Sequence, residues 1–121
     1  MSLLLETLTN QHDELARKLI AQASYEVLAY QNKKGQTALH LSILECTPEL
    51  TDLLLKKGAP LEAKTKEGFT PLHLAAKLGC LSCAQLLISH GADLNARCRQ
   101  YRTPFFYADL KGHKGLAMAL H

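Results

Sequence analysis

The chain has 121 residues, of which 47% are apolar and 21% charged, with 7 Gly and 4 Pro. That length holds one compact unit and no second sizeable domain, and the composition excludes disordered, collagen-like and low-complexity classes. Lys and Arg total 14 against 11 Asp and Glu, and the net charge of +3 is too mild to imply nucleic-acid binding.

The first residues, Met1-Ser2-Leu3-Leu4-Leu5-Glu6, carry no basic segment, and Glu6 interrupts the apolar run. Neither a secretory leader nor a membrane span of ~18 apolar residues is expected. Four cysteines, at 46, 80, 83 and 98, are even in number, but nothing else points to secretion. The expectation is a soluble protein with reduced thiols, cytoplasmic or nuclear, in a host cell where the source is a virus or bacterium.

In chain order, Ser2-Leu3-Leu4-Leu5 fits a helix start. His12 to Ile20 then places Leu15, Ala16, Leu19 and Ile20 at i, i+1, i+4 and i+5, the pattern of an amphipathic helix. Beyond a linker with about two extra residues by its offset from the later copies, the chain becomes periodic. Gly35-Gln36-Thr37-Ala38-Leu39-His40-Leu41 recurs 33 residues later as Gly68-Phe69-Thr70-Pro71-Leu72-His73-Leu74. Leu53-Leu54-Leu55-Lys56-Lys57-Gly58-Ala59 recurs at the same spacing as Leu86-Leu87-Ile88-Ser89-His90-Gly91-Ala92, and Thr103-Pro104-Phe105-Phe106-Tyr107-Ala108 opens a third copy.

Each copy carries its own punctuation. Thr37, Thr70 and Thr103 are placed to cap a first helix, and Pro71 and Pro104 follow where the missing N–H costs nothing. Leu72, Leu74, Ala75 and Ala76 form its buried stripe, and Gly79 suits the left-handed end. Thr47-Pro48 opens a second helix, Gly58-Ala59 and Gly91-Ala92 close such helices, and Thr65-Lys66-Glu67-Gly68 projects as a turn. The units are 1–31 (a degenerate cap), 32–64, 65–97 and 98–121 (truncated).

The period of 33 and the Thr-Pro-Leu-His-x-Ala pattern resemble the ankyrin repeat. The resemblance implies an all-α solenoid of about three and a half helix-turn-helix repeats with projecting turns. It also implies a non-catalytic module that binds proteins, with no cofactor and no metal. Phe106 departs from the pattern, standing where the other copies have His, and Asp109 replaces an inward Ala.

Candidate chemistry is thin. The resemblance implies that the imidazoles of His40 and His73 bond backbone and the repeat-start Thr, as buried polar groups must. A single Cys80-x-x-Cys83 is a weak metal or redox signal; Cys83 falls at a packed apolar position, Cys80 near an exposed helix start, and Cys98 is the candidate third thiol. Both cysteines of the pair are expected to act as small hydrophobes. Phosphate-binding loops, dinucleotide fingerprints, zincin helices and nucleophile elbows are missing. Leu87 to Asn95 resembles the asparagine-hydroxylation site of animal ankyrin proteins, but Asn95 is expected only to bond its own turn.

Ankyrin partners usually dock on turn tips and on exposed positions of the first helices. Carried over by position, that surface is Lys33, Lys34, Gln36, Leu44 and Glu45, then Lys66, Glu67, Phe69, Lys77 and Leu78, then Arg99, Gln100, Arg102, Leu110 and Lys111. It gathers seven cations against two anions in a chain of net +3. An acidic partner is expected, with electrostatic steering of the encounter and Phe69 as the apolar anchor. Neither nucleic acid nor membrane is an expected partner.

Val27-Leu28-Ala29-Tyr30-Gln31-Asn32 with Gln36-Thr37-Ala38-Leu39-His40-Leu41 and Gly79-Cys80-Leu81 is similar to the early repeats of inhibitors of NF-κB and their short viral relatives. That likeness implies a Rel-dimer partner whose nuclear entry or DNA binding is blocked. Phe105, Phe106 and Tyr107 supply a separate expectation, self-association of an apolar end, with the chain a monomer or weak homodimer.

Overall fold

The computed structural model describes residues 13–120, with side chains from Arg17 onward. The expected helix start at Ser2–Leu5 and the side chains of Leu15 and Ala16 lie outside that range. Eight helices and no strand occur among the described residues. They are α1 (Asp13–Gln22), α2 (Tyr25–Ala29), α3 (Ala38–Leu44), α4 (Pro48–Lys56), α5 (Pro71–Leu78), α6 (Leu81–Ser89), α7 (Pro104–Leu110) and α8 (Lys114–Leu120).

The packing has two layers. Helices α3, α5 and α7 stack in one layer and α1, α4, α6 and α8 in the other, with α3–α4, α5–α6 and α7–α8 as the antiparallel pairs that join them. Leu39, Ile43, Leu50, Leu54, Leu72 and Leu87 are almost wholly buried between the layers, each stabilising the fold by about 1.5–3 kcal/mol. Every repeat thus completes its core with side chains from its neighbours, as an α-solenoid requires. Helix α2 was not legible in the repeat pattern. It lies in the linker ahead of the first strong copy and packs on α3, with Leu28 fully buried.

The first helices begin where their Thr residues predict. The hydroxyls of Thr37, Thr70 and Thr103 accept the N–H of the residue three positions on, at 3.5, 3.3 and 3.4 Å. In the first two, the backbone N–H of Thr37 or Thr70 donates back to Nδ1 of His40 or His73 at 3.1 Å. With Nδ1 accepting, the ring proton sits on Nε2, which donates across the repeat boundary to the Phe69 carbonyl at 3.0 Å and the Arg102 carbonyl at 2.8 Å. Burial pushes His40 down to about 4, and the hydrogen bond to Phe69 only partly offsets it; His73 is lowered for the same reason. The two imidazoles are therefore neutral fasteners between repeats, as expected. Phe106 in the last repeat has no such bond to offer.

Candidate functional site

The turns before α3, α5 and α7 form a continuous ladder. The N–H of Lys66 donates to the Lys34 carbonyl at 3.0 Å, and the N–H of Arg99 to the Glu67 carbonyl at 3.2 Å. Gln31 Nε2 donates to the Lys64 carbonyl at 2.9 Å and Lys64 Nζ to the Arg97 carbonyl at 3.2 Å, each reaching the same position one repeat on. Gly35 and Gly68 permit this approach: both have positive φ, and a Cβ would lie 2.7 Å from the Lys66 nitrogen or 2.6 Å from the Arg99 nitrogen. The tips are thereby held rigid before any partner arrives.

On this ladder Lys33, Lys34, Lys66, Glu67, Arg99 and Gln100 are exposed. Lys33, Lys34, Lys66 and Arg99 form no ion pair among the described residues, and Glu67 is the carboxylate that shares the groove of Lys66 and Arg99. Leu44, Glu45, Lys77, Leu78, Leu110 and Lys111 are exposed at the far ends of the first helices, while Gln36, bonded to Asn32, and Arg102 are half-buried. Lys66, Glu67, Phe69, Arg99 and Gln100 line one groove between the second and third tips.

Two expectations about aromatic side chains need correction. Phe69 is only 8% exposed. Its ring meets Tyr107 edge-on at 5.4 Å, and the Lys77 ammonium covers it at 5.3 Å. It fastens adjacent repeats and does not stand out as an anchor. Tyr107 is likewise buried, so the apolar end consists of half-buried Phe105 together with exposed Phe106, Leu110 and Met118. Arg102 stacks over the Phe106 ring at 4.7 Å. Asp109 faces outward, because no described helix lies over its position.

The exposed aromatic on the ladder is Tyr101, which sequence reasoning passed over. It is 77% exposed with φ +62 at the position Gly68 and Gly35 occupy one and two periods earlier. The missed signal was this departure from glycine in the repeat pattern. No described turn covers Tyr101, so its side chain has the room that a Cβ at Gly35 or Gly68 lacks; the conformation still costs about 1–2 kcal/mol.

The cysteines depart furthest from expectation. Cys46 and Cys80 are joined by a disulfide, so four reduced thiols are not what the chain contains. Cys80 is buried at the start of α6, not exposed. Cys83 is fully buried, as predicted, and its Sγ lies 3.5 Å from Thr51 Oγ1. Burial raises its thiol and Thr51 partly offsets this. The third sulfur beside Cys80 and Cys83 is that of Cys46, with all three within 4.8 Å of one another. Cys98 instead faces the Tyr107 hydroxyl at 3.5 Å. Burial there acts to raise its thiol, but hydrogen bonds from Tyr107 and nearby backbone outweigh it and the thiol is lowered.

Asn95 serves its turn through the main chain, its N–H donating to Asp93 Oδ1 at 2.9 Å. No helix among the described residues is long and apolar enough to cross a membrane.

Paired helices, capped turn by turn and joined by a ladder of projecting tips, define a helical repeat solenoid of the protein-binding kind. The family described as ankyrin repeats, in three copies, matches residues 3–98 and 61–120. The chain belongs to the ankyrin-repeat family, whose members are generally non-catalytic protein-interaction modules. No curated protein matches it significantly.

Proposed function

We propose that the domain binds a protein partner through an acidic surface or segment laid along the turn tips and the exposed ends of α3, α5 and α7. The observation that carries this reading is the row of exposed cations at Lys33, Lys34, Lys66 and Arg99 on turns joined to one another by backbone hydrogen bonds. A preorganised tip loses little freedom on docking, and clustered positive charge accelerates the encounter. Tyr101, adjoining Arg99 and Arg102 in the last turn, takes the anchoring role once assigned to Phe69.

The test is capture from animal-cell lysate with wild type and with Lys66→Ala/Arg99→Ala/Tyr101→Gly, followed by mass spectrometry. A partner retained by the wild type alone, carrying an acidic region and weakened by salt, supports the reading. If both proteins capture the same set, the face is merely solvated. Recovery of a Rel dimer would refine the partner to the NF-κB-inhibitor class; the basic face argues against this, since it repels a basic nuclear-localisation segment.

A second reading rests on the end face, where Met118 is 80% and Leu110 61% exposed beside a groove lined by Phe105, Ala108 and Ala117. Association of two copies there would show as a sedimentation mass that rises with concentration and falls back in Leu110→Ser/Met118→Ser.

A further inference from the structure

The geometry points to a thiolate site for a zinc-class d10 cation, built from Cys46, Cys80 and Cys83 and closed by the Cys46–Cys80 disulfide. The repeat architecture brings these sulfurs together. The residue that opens each second helix stacks on the left-handed position of the preceding repeat. At the next boundary that residue is His113, whose ring lies 2.6 Å from a Cβ built on Gly79. One period earlier the same stacking sets Cys80 against Cys46.

Cys46 is the informative member. It has φ +50 at the position where Gly79 and Gly112 have φ +77 and +76. Backbone conformation favours glycine there, so what the side chain adds at that place comes through its sulfur. The other two sulfurs sit at the N-terminus of the nine-residue α6, Cys80 at the cap position with no side-chain cap bond and Cys83 one turn on. The helix dipole at that end favours thiolates, against the burial and the nearby Glu49 carboxylate that raise the Cys83 thiol when no metal is bound.

The donor set suits the cation. Zn²⁺ binds thiolates at about 2.3 Å, which separates tetrahedral sulfurs by about 3.8 Å, and the three sulfurs lie within 4.8 Å of one another. Cys46 is exposed, so a fourth position opens to solvent, as in three-ligand zinc sites. Thr51 backs Cys83, its Oγ1 lying 3.5 Å from Sγ, and turning its one hydroxyl proton toward the thiolate would give up the 3.1 Å bond to the Thr47 carbonyl. Cys98 takes no part.

Opening the site needs a dithiol reductant. It passes two electrons and two protons to the Cys46–Cys80 bond, giving two thiols, and leaves as its own disulfide. The three thiols then bind one Zn²⁺ as thiolates and release three protons.

The test titrates the full, anaerobically reduced chain with Co²⁺, then displaces it with Zn²⁺. One equivalent of Co²⁺ with a thiolate-to-cobalt charge-transfer band is expected. Cys46→Gly, which installs the residue the repeat carries at this position elsewhere, and Cys83→Ser should each weaken binding by about 100-fold or more, with unchanged far-ultraviolet circular dichroism. Cys98→Ser should bind as wild type, and a thiol oxidant should release the metal with loss of two thiols per chain. The proposal is overturned if no band appears, if Cys46→Gly and Cys83→Ser bind as wild type, if Cys98→Ser abolishes binding, or if reduction alone unfolds the chain.

Discussion

Two rows of left-handed backbone positions flank the first helices, and their contrast explains much of the molecule. One row, Gly35, Gly68 and Tyr101, lies in the turns before α3, α5 and α7; the other, Cys46, Gly79 and Gly112, follows those helices. Each row has lost one glycine. In the turn row, Gly35 and Gly68 lie under the next repeat's backbone, and only uncovered Tyr101 accepts a side chain. In the second row the neighbour above is a side chain, which can move or bond, so Cys46 is tolerated beneath Cys80. Glycine is demanded doubly where backbone covers backbone, and only by φ elsewhere.

The sharpest way to probe the second row is to open the disulfide. It closes a sequence separation of 34, for which loop-closure entropy predicts a loss of about 3–4 kcal/mol on reduction without metal. Denaturant midpoints with and without reductant would measure it. Cys46→Gly should lose about 2–3 kcal/mol under oxidising conditions, and so exceed reduced wild type by about 1 kcal/mol.

The turn row should break at Gly68→Ala. A Cβ there would lie 2.6 Å from the Arg99 nitrogen at φ +84, and we expect a cost of about 3 kcal/mol. An effect below about 1 kcal/mol would mean that the turns separate easily and the ladder is not rigid.

The imidazoles that tie the rows together predict a pH dependence. His40 ordinarily titrates at 6.5 and is held at about 4 in the fold. As the pH falls below 6.5 the unfolded chain takes up a proton that the folded chain refuses. Stability is therefore complete above 6.5 and falls between 6.5 and about 4, by about 3 kcal/mol for this group. His40→Asn should be less stable at neutral pH yet show a shallower decline in urea midpoint on acidification.

The smallest effect is expected at Tyr101→Gly. Relief of the left-handed conformation should stabilise the fold by up to about 1 kcal/mol, while partner capture weakens. A loss of stability instead would make Tyr101 a packing residue and remove it from the binding surface.

Much of this was legible in one strand of text. Thr37, Thr70 and Thr103 announced the helix starts, and the period of 33 set the pairing of layers. The exposure of Lys33, Lys34, Lys66 and Arg99 followed from their place in the turns, because tip residues point away from any neighbour. Phe69 was misjudged for a related reason: its position borders the tip, and only the approach of Tyr107 and Lys77 decided that its ring is covered.

The sequence alone determined the repeat, its caps and the register between copies, since these depend on residues a few positions apart or one period apart. Tertiary structure alone decided that Cys46 meets Cys80, that Cys83 joins them in place of Cys98, and that Tyr101 stands free. Those outcomes depend on which atom of one repeat lies over which atom of the next, an offset of a few ångströms that periodicity does not specify.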